Sequence, residues 1–181
     1  MHITFDVSKF EGNPKGLINA LYYLRNSNNY FNSHDEAITS ITCKTPSSAY
    51  KYARYVSPQG LPEKIERVFL KNANIGIRYL NYTRKKEFSN PDTQKRFWKK
   101  VVKDVHLAYS WASAFKARLS EDEEMIFVQN MKAARDYAYF IIKGKFPEKV
   151  HNMLVLKSFE IKEGWEKACL QEYIKYAKNQ T

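Results

Sequence analysis

The sequence contains few cysteine, glycine and proline residues, and each shortage excludes a class of protein. Its two cysteines, Cys43 and Cys169, lie far apart and belong to no Cys-x-x-Cys or Cys/His cluster. We therefore expect neither a disulfide framework nor a zinc site, and we predict two core thiols in a protein from a reducing compartment. Six glycines and six prolines, beside 13 tyrosines, 11 phenylalanines and three tryptophans, are not typical of a disordered chain.

Long apolar runs are also missing. No stretch approaches the roughly 18 consecutive apolar residues that a membrane-spanning helix needs. Residues 1–7 contain no basic segment followed by an apolar run, so the sequence indicates no secretory signal. We expect a protein without a membrane partner that acts in the cytoplasm, and in the host cell cytoplasm if its origin is viral.

Acidic residues are outnumbered. The chain has 30 Lys and Arg against 19 Asp and Glu, which gives a formal net charge of +11 at pH 7. Such an excess favours an anionic partner: nucleic acid, the acidic face of a protein or a membrane surface. A lysine-rich surface that only contacts water is the alternative.

Residue patterns typical of catalysis are missing as well. The four histidines, His2, His34, His106 and His151, are dispersed, and none has a second metal ligand at the spacing of a metal site. The acidic run at residues 121–124 suits a helix N-terminus, where carboxylates complement the helix dipole, better than a cation site or an acid/base pair. The sequence predicts no enzyme, no catalytic residue, no metal and no cofactor.

One pattern recurs along the chain: Ala-x-x-aromatic-Ala, a polar turn, and then a helix start with acidic residues before an apolar residue. Its clearest copies begin at Ala49, Ala108 and Ala134. With two weaker copies included, the steps between aromatic anchors are 27, 32, 26 and 28 residues, and the anchors are Tyr52, Tyr79, Trp111, Tyr137 and Trp165.

Each copy predicts a hairpin of two short helices. Helix-start signals follow the polar turns, namely Pro62, Pro147 and the capping boxes Ser33-x-x-Glu36 and Ser120-x-x-Glu123. Gly60 and Gly144 stand where the preceding helices should end. One such hairpin cannot bury its apolar face without a neighbour.

The sequence therefore predicts an all-α fold, a short solenoid-like stack of degenerate helical hairpin repeats that forms one domain over residues 17–181. An irregular helical bundle with chance similarity between segments is the alternative. Residues 1–16 are predicted to form an N-terminal arm, extended or β, because Ile3, Phe5 and Val7 alternate with polar residues.

The repeated unit resembles a tandem α-helical repeat of tailed bacteriophage and giant virus proteins, with a consensus near Ala-x-x-Tyr-Ala-x-x-Val-x-x-Gly-Arg-x-Pro-Glu-x-Glu. Residues 134–150 match it best, and residues 49–66 match next. Lys145 stands where the repeat has Arg, and the middle copies lack the Gly and Pro. The resemblance implies a viral origin and a helical-repeat fold, and it carries over no catalytic residue.

Positive charge is most concentrated between residues 84 and 103. Five cations follow the spacing i, i+1, i+4, i+5, i+8, which places them on one face of a predicted helix: Lys95, Arg96, Lys99, Lys100 and Lys103. Phe97, Trp98, Val101 and Val102 are predicted to pack on the opposite side. A second group, predicted to end the preceding helix, extends this binding surface: Arg84, Lys85 and Lys86.

From these features we predict a non-catalytic binding protein, a phage accessory factor for host takeover or anti-defence that binds a host protein through its helical-repeat surface. The alternative is direct, largely non-sequence-specific binding of DNA or RNA by residues 84–103. Rings such as Tyr50 or Tyr55 would stack on unpaired bases if they lay at the surface, although tyrosines at helical spacing more often fill a core.

Overall fold

A computed structural model describes residues 6–27 and 35–180 of the chain. These residues form helices and turns and contain no β-strand, so the prediction of an all-α fold is confirmed. The chain divides into two compact units, Met1–Phe97 and Trp98–Thr181. The predicted single domain over residues 17–181 and its solenoid-like stacking stay predictions.

The first unit contains hairpins in which a short first helix packs against a longer second helix. A 3-10 turn over Val7–Phe10 precedes them, and a 3-10 turn over Arg67–Lys71 extends the fourth helix. In this unit α1 packs against α3, and α3 packs against α5. The helices are α1 (Pro14–Asn26), α2 (Glu36–Thr42), α3 (Pro46–Tyr55), α4 (Glu63–Glu66), α5 (Ala73–Thr83) and α6 (Pro91–Val101), whose last four residues belong to the second unit.

The second unit also contains a short helix followed by a longer one, Glu121–Glu124 and Met131–Tyr137, and it ends with two long helices. A 3-10 turn over Met125–Gln129 extends the helix at Glu121–Glu124, and a π-helical turn over Ala138–Ile142 continues the helix at Met131–Tyr137. Here α9 packs against both α7 and α11. The helices are α7 (Val105–Phe115), α8 (Glu121–Glu124), α9 (Met131–Tyr137), α10 (Glu148–Glu160) and α11 (Trp165–Lys178).

Several predicted boundaries need correction. Residues 1–5 lie outside the described residues, whereas Val7 begins a 3-10 turn and α1 begins at Pro14, inside the predicted arm. Ser33 also lies outside the described residues. The cap of α2 is Asp35, whose carboxylate accepts from the amides of Ala37 and Ile38. This cap places the helix start two residues later than the predicted capping box.

Other helix signals are confirmed or shifted by one residue. Ser120 and Glu123 form the predicted capping box at the start of α8. Pro62 and Pro147 occupy the capping position itself, one residue before α4 and α10 begin. Their missing amide hydrogens cost nothing there, because the first amides of a helix have no partner within it.

A buried hydrogen-bond network links the two helices of a hairpin in each unit. The hydroxyl of Tyr79 donates to Glu66 Oε1 at 2.8 Å and accepts from the amide of Leu61 at 2.9 Å. The hydroxyl of Tyr137 does the same with Glu124 Oε1 at 3.0 Å and the amide of Leu119 at 2.7 Å. Each member of the second set lies 58 positions after its counterpart in the first. We call this arrangement the Tyr–Glu network.

Both glutamates of the Tyr–Glu network are fully buried, and further donors satisfy their carboxylates. Glu66 accepts from the amide of Ser89 at 2.7 Å. Glu124 accepts from Arg118 Nε at 2.7 Å and Nη2 at 3.0 Å. Burial raises the pKa of the Tyr79 and Tyr137 hydroxyls well above the ordinary tyrosine value. The tyrosines therefore stay neutral donors over the physiological pH range.

An aromatic triplet surrounds each network tyrosine. In the first unit Phe69 stacks on Tyr79 at 4.5 Å between ring centroids, and Phe88 lies 5.9 Å from Phe69. The second unit repeats the triplet 58 positions later with Phe127, Tyr137 and Phe146. Because core rings and polar contacts recur in one register, the internal repeat predicted from the sequence is present in these two hairpins.

The last hairpin has a variant of this network. The hydroxyl of Tyr173 lies 3.4 Å from the amide of Phe146 and 2.8 Å from Nδ1 of His151, which occupies the glutamate position. Burial raises the pKa of Tyr173 to about 12. The predicted anchor Trp165 is therefore wrong, since it begins α11 and is 60% exposed while Tyr173 is buried.

The copy at Trp111 also departs from the pattern. Its ring is buried, but an indole has no hydroxyl that can join two polar partners. Among the described residues, Trp111 Nε1 has no hydrogen-bond partner. The amide of Phe88, which belongs to the first unit, donates to the side chain of Gln94 at 3.1 Å.

Both cysteines are buried and unpaired in the described part of the chain. Burial raises the pKa of Cys43 to about 11. This placement confirms the prediction of two core thiols.

Candidate binding site on the basic helix

Helix α6 carries half of the eight predicted basic residues, and its sequence fixes its orientation. Asn90 precedes it, and its side-chain oxygen accepts from the amide of Thr93 at 2.8 Å. Phe97 and Val101 are fully buried, and the ring of Phe97 meets that of Phe88 edge-on at 4.9 Å between centroids. Because these apolar side chains fix one face of α6 in the core, its opposite face points to solvent.

That solvent face is basic, as predicted. Lys95, Arg96, Lys99 and Lys100 are all exposed, and they lie at positions i, i+1, i+4 and i+5. Arg96 approaches a carboxylate of the same helix, with Asp92 Oδ2 3.9 Å from Nη1. We call these four residues the α6 basic face.

The other predicted site residues lie outside α6. The spacing predicts Lys103 on the helix, but α6 ends at Val101. Lys103 lies in the turn that follows, and its side chain is exposed. Arg84 ends α5 with a left-handed backbone, φ 57°, and is exposed together with Lys86. Lys85 is half-buried, with Nζ 3.4 Å from the hydroxyl of Ser89. Lys85 is therefore less accessible than the other seven.

A groove in the first unit adjoins the α6 basic face through Arg96. Its volume is about 570 Å³, and its cations other than Arg96 come from the α4 segment, namely Lys64 and Arg67. The groove is also lined by Glu63, Asn90, Asp92 and Thr93. Sequence reasoning missed Lys64 and Arg67, because only the packing of one hairpin against the next brings them near α6.

The acidic run at residues 121–124 has structural partners. Glu123 accepts from the hydroxyl of Ser120 at 2.7 Å and from Nε1 of Trp98 at 2.6 Å. Glu124 belongs to the Tyr–Glu network. The carboxylates therefore point to different partners, in agreement with the interpretation of the run as a helix N-terminus.

The two histidines among the described residues, His106 and His151, lie on different helices. His106 is exposed on α7, His151 contacts Tyr173, and His2 and His34 lie outside the described residues. Within residues 6–27 and 35–180, no group of three or more His, Cys, Asp or Glu side chains is placed to hold a metal ion. In the same ranges no helix combines the length and apolarity that crossing a membrane requires.

The arrangement on α6 suits the recognition of anions. Exposed ammonium and guanidinium groups bind carboxylates or phosphates by charge-assisted hydrogen bonds, and arginine does so with two parallel bonds.

No family model, no curated protein and no solved structure matches this chain.

Proposed function

We propose that the protein is a non-catalytic binding protein that docks the α6 basic face onto an acidic surface of another protein. One observation carries the proposal: four exposed cations occupy a single face of a helix whose other face is held in the core. Such a surface is presented without a prior conformational change, which lowers the entropic cost of binding. Arg96 extends it into the groove that Lys64 and Arg67 also line.

The use of the buried ionisable side chains supports a non-catalytic role. Glu66, Glu124, Tyr79 and Tyr137 satisfy one another and nearby amides inside the hairpins. Catalytic groups more often face a cleft that admits substrate. These four side chains stabilise the fold, and the exposed charge is available for recognition.

The resemblance to phage and giant-virus repeats supports a biological setting. In that setting the protein is a phage accessory factor for host takeover or anti-defence, and its partner is a protein of the host cytoplasm. A partner with an acidic face would complement the net charge of +11 and associate faster at low salt.

A second candidate function is largely non-sequence-specific binding of DNA or RNA by the same helix. The observation that favours it is that Lys95, Lys99 and Lys103 are exposed and have no ion-pair partner among the described residues. Side chains of this kind neutralise backbone phosphates and release counterions.

The test is affinity capture from a bacterial lysate treated with nuclease. The test variant reverses the α6 basic face: Lys95→Glu, Arg96→Glu, Lys99→Glu and Lys100→Glu. A matched control reverses four exposed lysines elsewhere: Lys44→Glu, Lys71→Glu, Lys162→Glu and Lys175→Glu. We expect a protein retained by the wild type and the control and lost by the α6 variant. Retention by all three proteins contradicts the proposal.

Fluorescence anisotropy with a labelled duplex and a labelled single strand tests the second candidate. Nucleic-acid binding by α6 predicts an affinity that falls steeply with salt, with a slope of about −0.9 per phosphate contact on duplex DNA. The slope should be shallower in the α6 variant. Equal salt slopes for wild type and α6 variant contradict nucleic-acid binding through this helix.

A further inference from the structure

Three longer helices of the first unit form a surface of unusual composition. Helices α1, α3 and α5 contain five lysines and arginines and no aspartate or glutamate. Among the described residues of this unit, every exposed large hydrophobic side chain is a tyrosine, and all four of these tyrosines lie on the three helices: Tyr22, Tyr23, Tyr55 and Tyr82. Positive charge and rings thus share one layer of helices.

Direct contacts join the three helices where these rings lie. Arg25 of α1 donates to the carbonyl of Tyr55 on α3 at 3.0 Å. Tyr82 of α5 donates to the carbonyl of Arg54 on α3 at 2.9 Å. The rings of Tyr22 and Tyr55 meet edge-on at 5.9 Å between centroids. Tyr22 and Tyr55 therefore meet across α1 and α3, and a hydrogen bond ties the Tyr82 hydroxyl to α3.

The exposed residues recur in register with the buried tyrosines. Lys51 and Tyr55 flank Tyr52, and Arg78 and Tyr82 flank Tyr79 with the same offsets of one residue before and three after. A cation and a ring four positions apart lie on the same side of a helix. Two successive hairpins thus present the same cation–ring pair.

The second unit keeps the rings at these offsets but reverses the charge. Asp136 precedes Tyr137, and Glu172 precedes Tyr173; the rings are Phe140 and Tyr176. Both carboxylates pair with Arg135, at 2.8 Å each. Positive charge beside the recurring ring is therefore specific to the first unit and does not follow from the repeat itself.

We propose that this surface binds single-stranded nucleic acid, with the tyrosine rings stacking on unpaired bases and the neighbouring cations contacting phosphates. We call it the tyrosine–cation face, defined by Tyr22, Tyr23, Arg25, Lys51, Arg54, Tyr55, Arg78 and Tyr82. It lies on other helices than the α6 basic face, so the test of this proposal is independent of the partner proposed for α6.

Composition favours a nucleic acid over a protein as the occupant. The buried centre of a protein interface is depleted of charged side chains, whereas the tyrosine–cation face mixes four cations with its four rings. Among the described residues, the exposed Met153 and Leu156 lie in the second unit. The tyrosine–cation face offers only rings, cations and polar side chains. Every base has a flat π-face for a ring, and every nucleotide has a phosphate for a cation.

A single strand is favoured over a duplex because a duplex hides the faces of its bases within the stack. Single-stranded sites are recognised by aromatic stacking combined with a positive surface that follows the backbone. The tyrosine–cation face supplies both parts on adjacent helices. It gives no reason to expect strong sequence preference.

The experiment measures fluorescence anisotropy of labelled 20-nucleotide oligo(dT) and oligo(U) with the full chain, and of a labelled 20-base-pair duplex. We expect both single strands to bind more tightly than the duplex. Tyr23→Ala and Tyr55→Ala should each weaken single-strand binding by roughly 5- to 100-fold, the usual contribution of one stacked base. Lys51→Gln with Arg78→Gln should reduce the salt slope by about 0.7 for each lost phosphate contact.

Matched variants in the second unit provide the control. Phe140→Ala and Tyr176→Ala occupy the register of Tyr55 and Tyr82 and should leave binding unchanged. Circular dichroism and the thermal midpoint report whether a variant is folded. Tyr23 is 70% exposed, and Lys51 and Arg78 are exposed, so these substitutions remove no core contact.

Four outcomes overturn the proposal. The first is that neither single strand binds. The second is binding that the α6 variant abolishes and the tyrosine–cation variants leave intact. The third is equal binding of duplex and single strand. The fourth is capture of an acidic protein by this face in place of nucleic acid. Loss of binding in Tyr23→Ala and in the Lys51/Arg78 variant, with both control variants normal, supports it.

Discussion

Nδ1 of His151 lies 2.8 Å from the hydroxyl of Tyr173, at the position where two other hairpins place a buried glutamate. The amide of Phe146 faces the same hydroxyl oxygen at 3.4 Å. The hydroxyl hydrogen is thus available to a neutral imidazole, and protonation of Nδ1 removes that acceptor. The stability of the last hairpin therefore depends on the protonation of a histidine, whereas the Tyr–Glu networks of the other two hairpins contain a glutamate at that position.

This relationship predicts a pH-dependent free energy of unfolding. Burial, reinforced by the charge of Lys145, lowers the pKa of His151 below its ordinary value of 6.5. Between the lowered pKa and 6.5 the unfolded chain binds more protons than the folded chain. The contribution of this histidine is therefore complete above pH 6.5 and is lost as the pH falls below it.

Urea unfolding at pH 7.5 and at pH 5.5 provides the measurement. We expect His151→Gln to show a smaller fall in the free energy of unfolding between these two pH values than the wild type. His106→Gln, at an exposed position on α7, should keep the wild-type pH dependence. An unchanged pH dependence in His151→Gln would contradict the assignment.

Removal of a hydroxyl from the Tyr–Glu network should destabilise the protein. Tyr79→Phe or Tyr137→Phe keeps the ring but leaves a buried carboxylate and a buried amide each short of a partner. The expected cost is about 1–3 kcal/mol in the free energy of unfolding. Chemical denaturation measures it, and Tyr23→Phe is the matched control at an exposed position. Equal stability of all three variants and the wild type would show that the network contributes nothing.

Two glycines should respond to alanine in opposite directions. A Cβ on Gly76 would lie 2.7 Å from Cε2 of Phe97 and 3.3 Å from Cβ of Phe69, so Gly76→Ala overfills the core. We expect a loss of about 1–3 kcal/mol. A Cβ on Gly144 would meet nothing closer than Ile142 Cγ2 at 3.9 Å, so Gly144→Ala should be neutral or stabilise by about 0.5 kcal/mol. Thermal unfolding of the two variants tests the contrast.

Two helices end on lysines with a left-handed backbone. Lys116 follows α7 with φ 47°, and Lys143 follows the π-helical turn with φ 54°. Glycine adopts this conformation without the clash of a Cβ. Lys116→Gly and Lys143→Gly should each raise the free energy of unfolding by about 0.5–1 kcal/mol. Lys99→Gly, inside α6, should lower it by about 1 kcal/mol, and the same sign in all three would refute the explanation.

The sequence predicted the helical class, the recurring hairpin unit and the exposed face of α6. These features depend on periodicity and on caps such as Ser120–Glu123, which act over a few residues. The predicted anchor of the last hairpin is wrong, because neither Trp165 nor Tyr173 is flanked by the alanines of the pattern, which therefore does not distinguish them. Which ring is buried depends on its reach to the amide of Phe146, and local spacing does not encode that distance.

The surface was harder to predict than the core for the same reason. Lys64 and Arg67 join the groove beside Arg96 only after neighbouring hairpins pack together. The helical spacing of Tyr55 left open whether its ring fills the core, and the buried Tyr52 three positions earlier takes the inward position. Tyr79 does the same for Tyr82. The identity of the buried tyrosine thus decides which other rings reach solvent.

Residues that hold each hairpin together and residues that meet a partner occupy separate registers. Tyr79 and Tyr137 point inward, while the residues just before them, Arg78 and Asp136, lie toward the surface with opposite charges. A charge exchanged at that outer position leaves the internal bonds of the hairpin intact. Evolution can therefore retarget such a chain one hairpin at a time, and a protein engineer can graft a new recognition surface onto it by the same route.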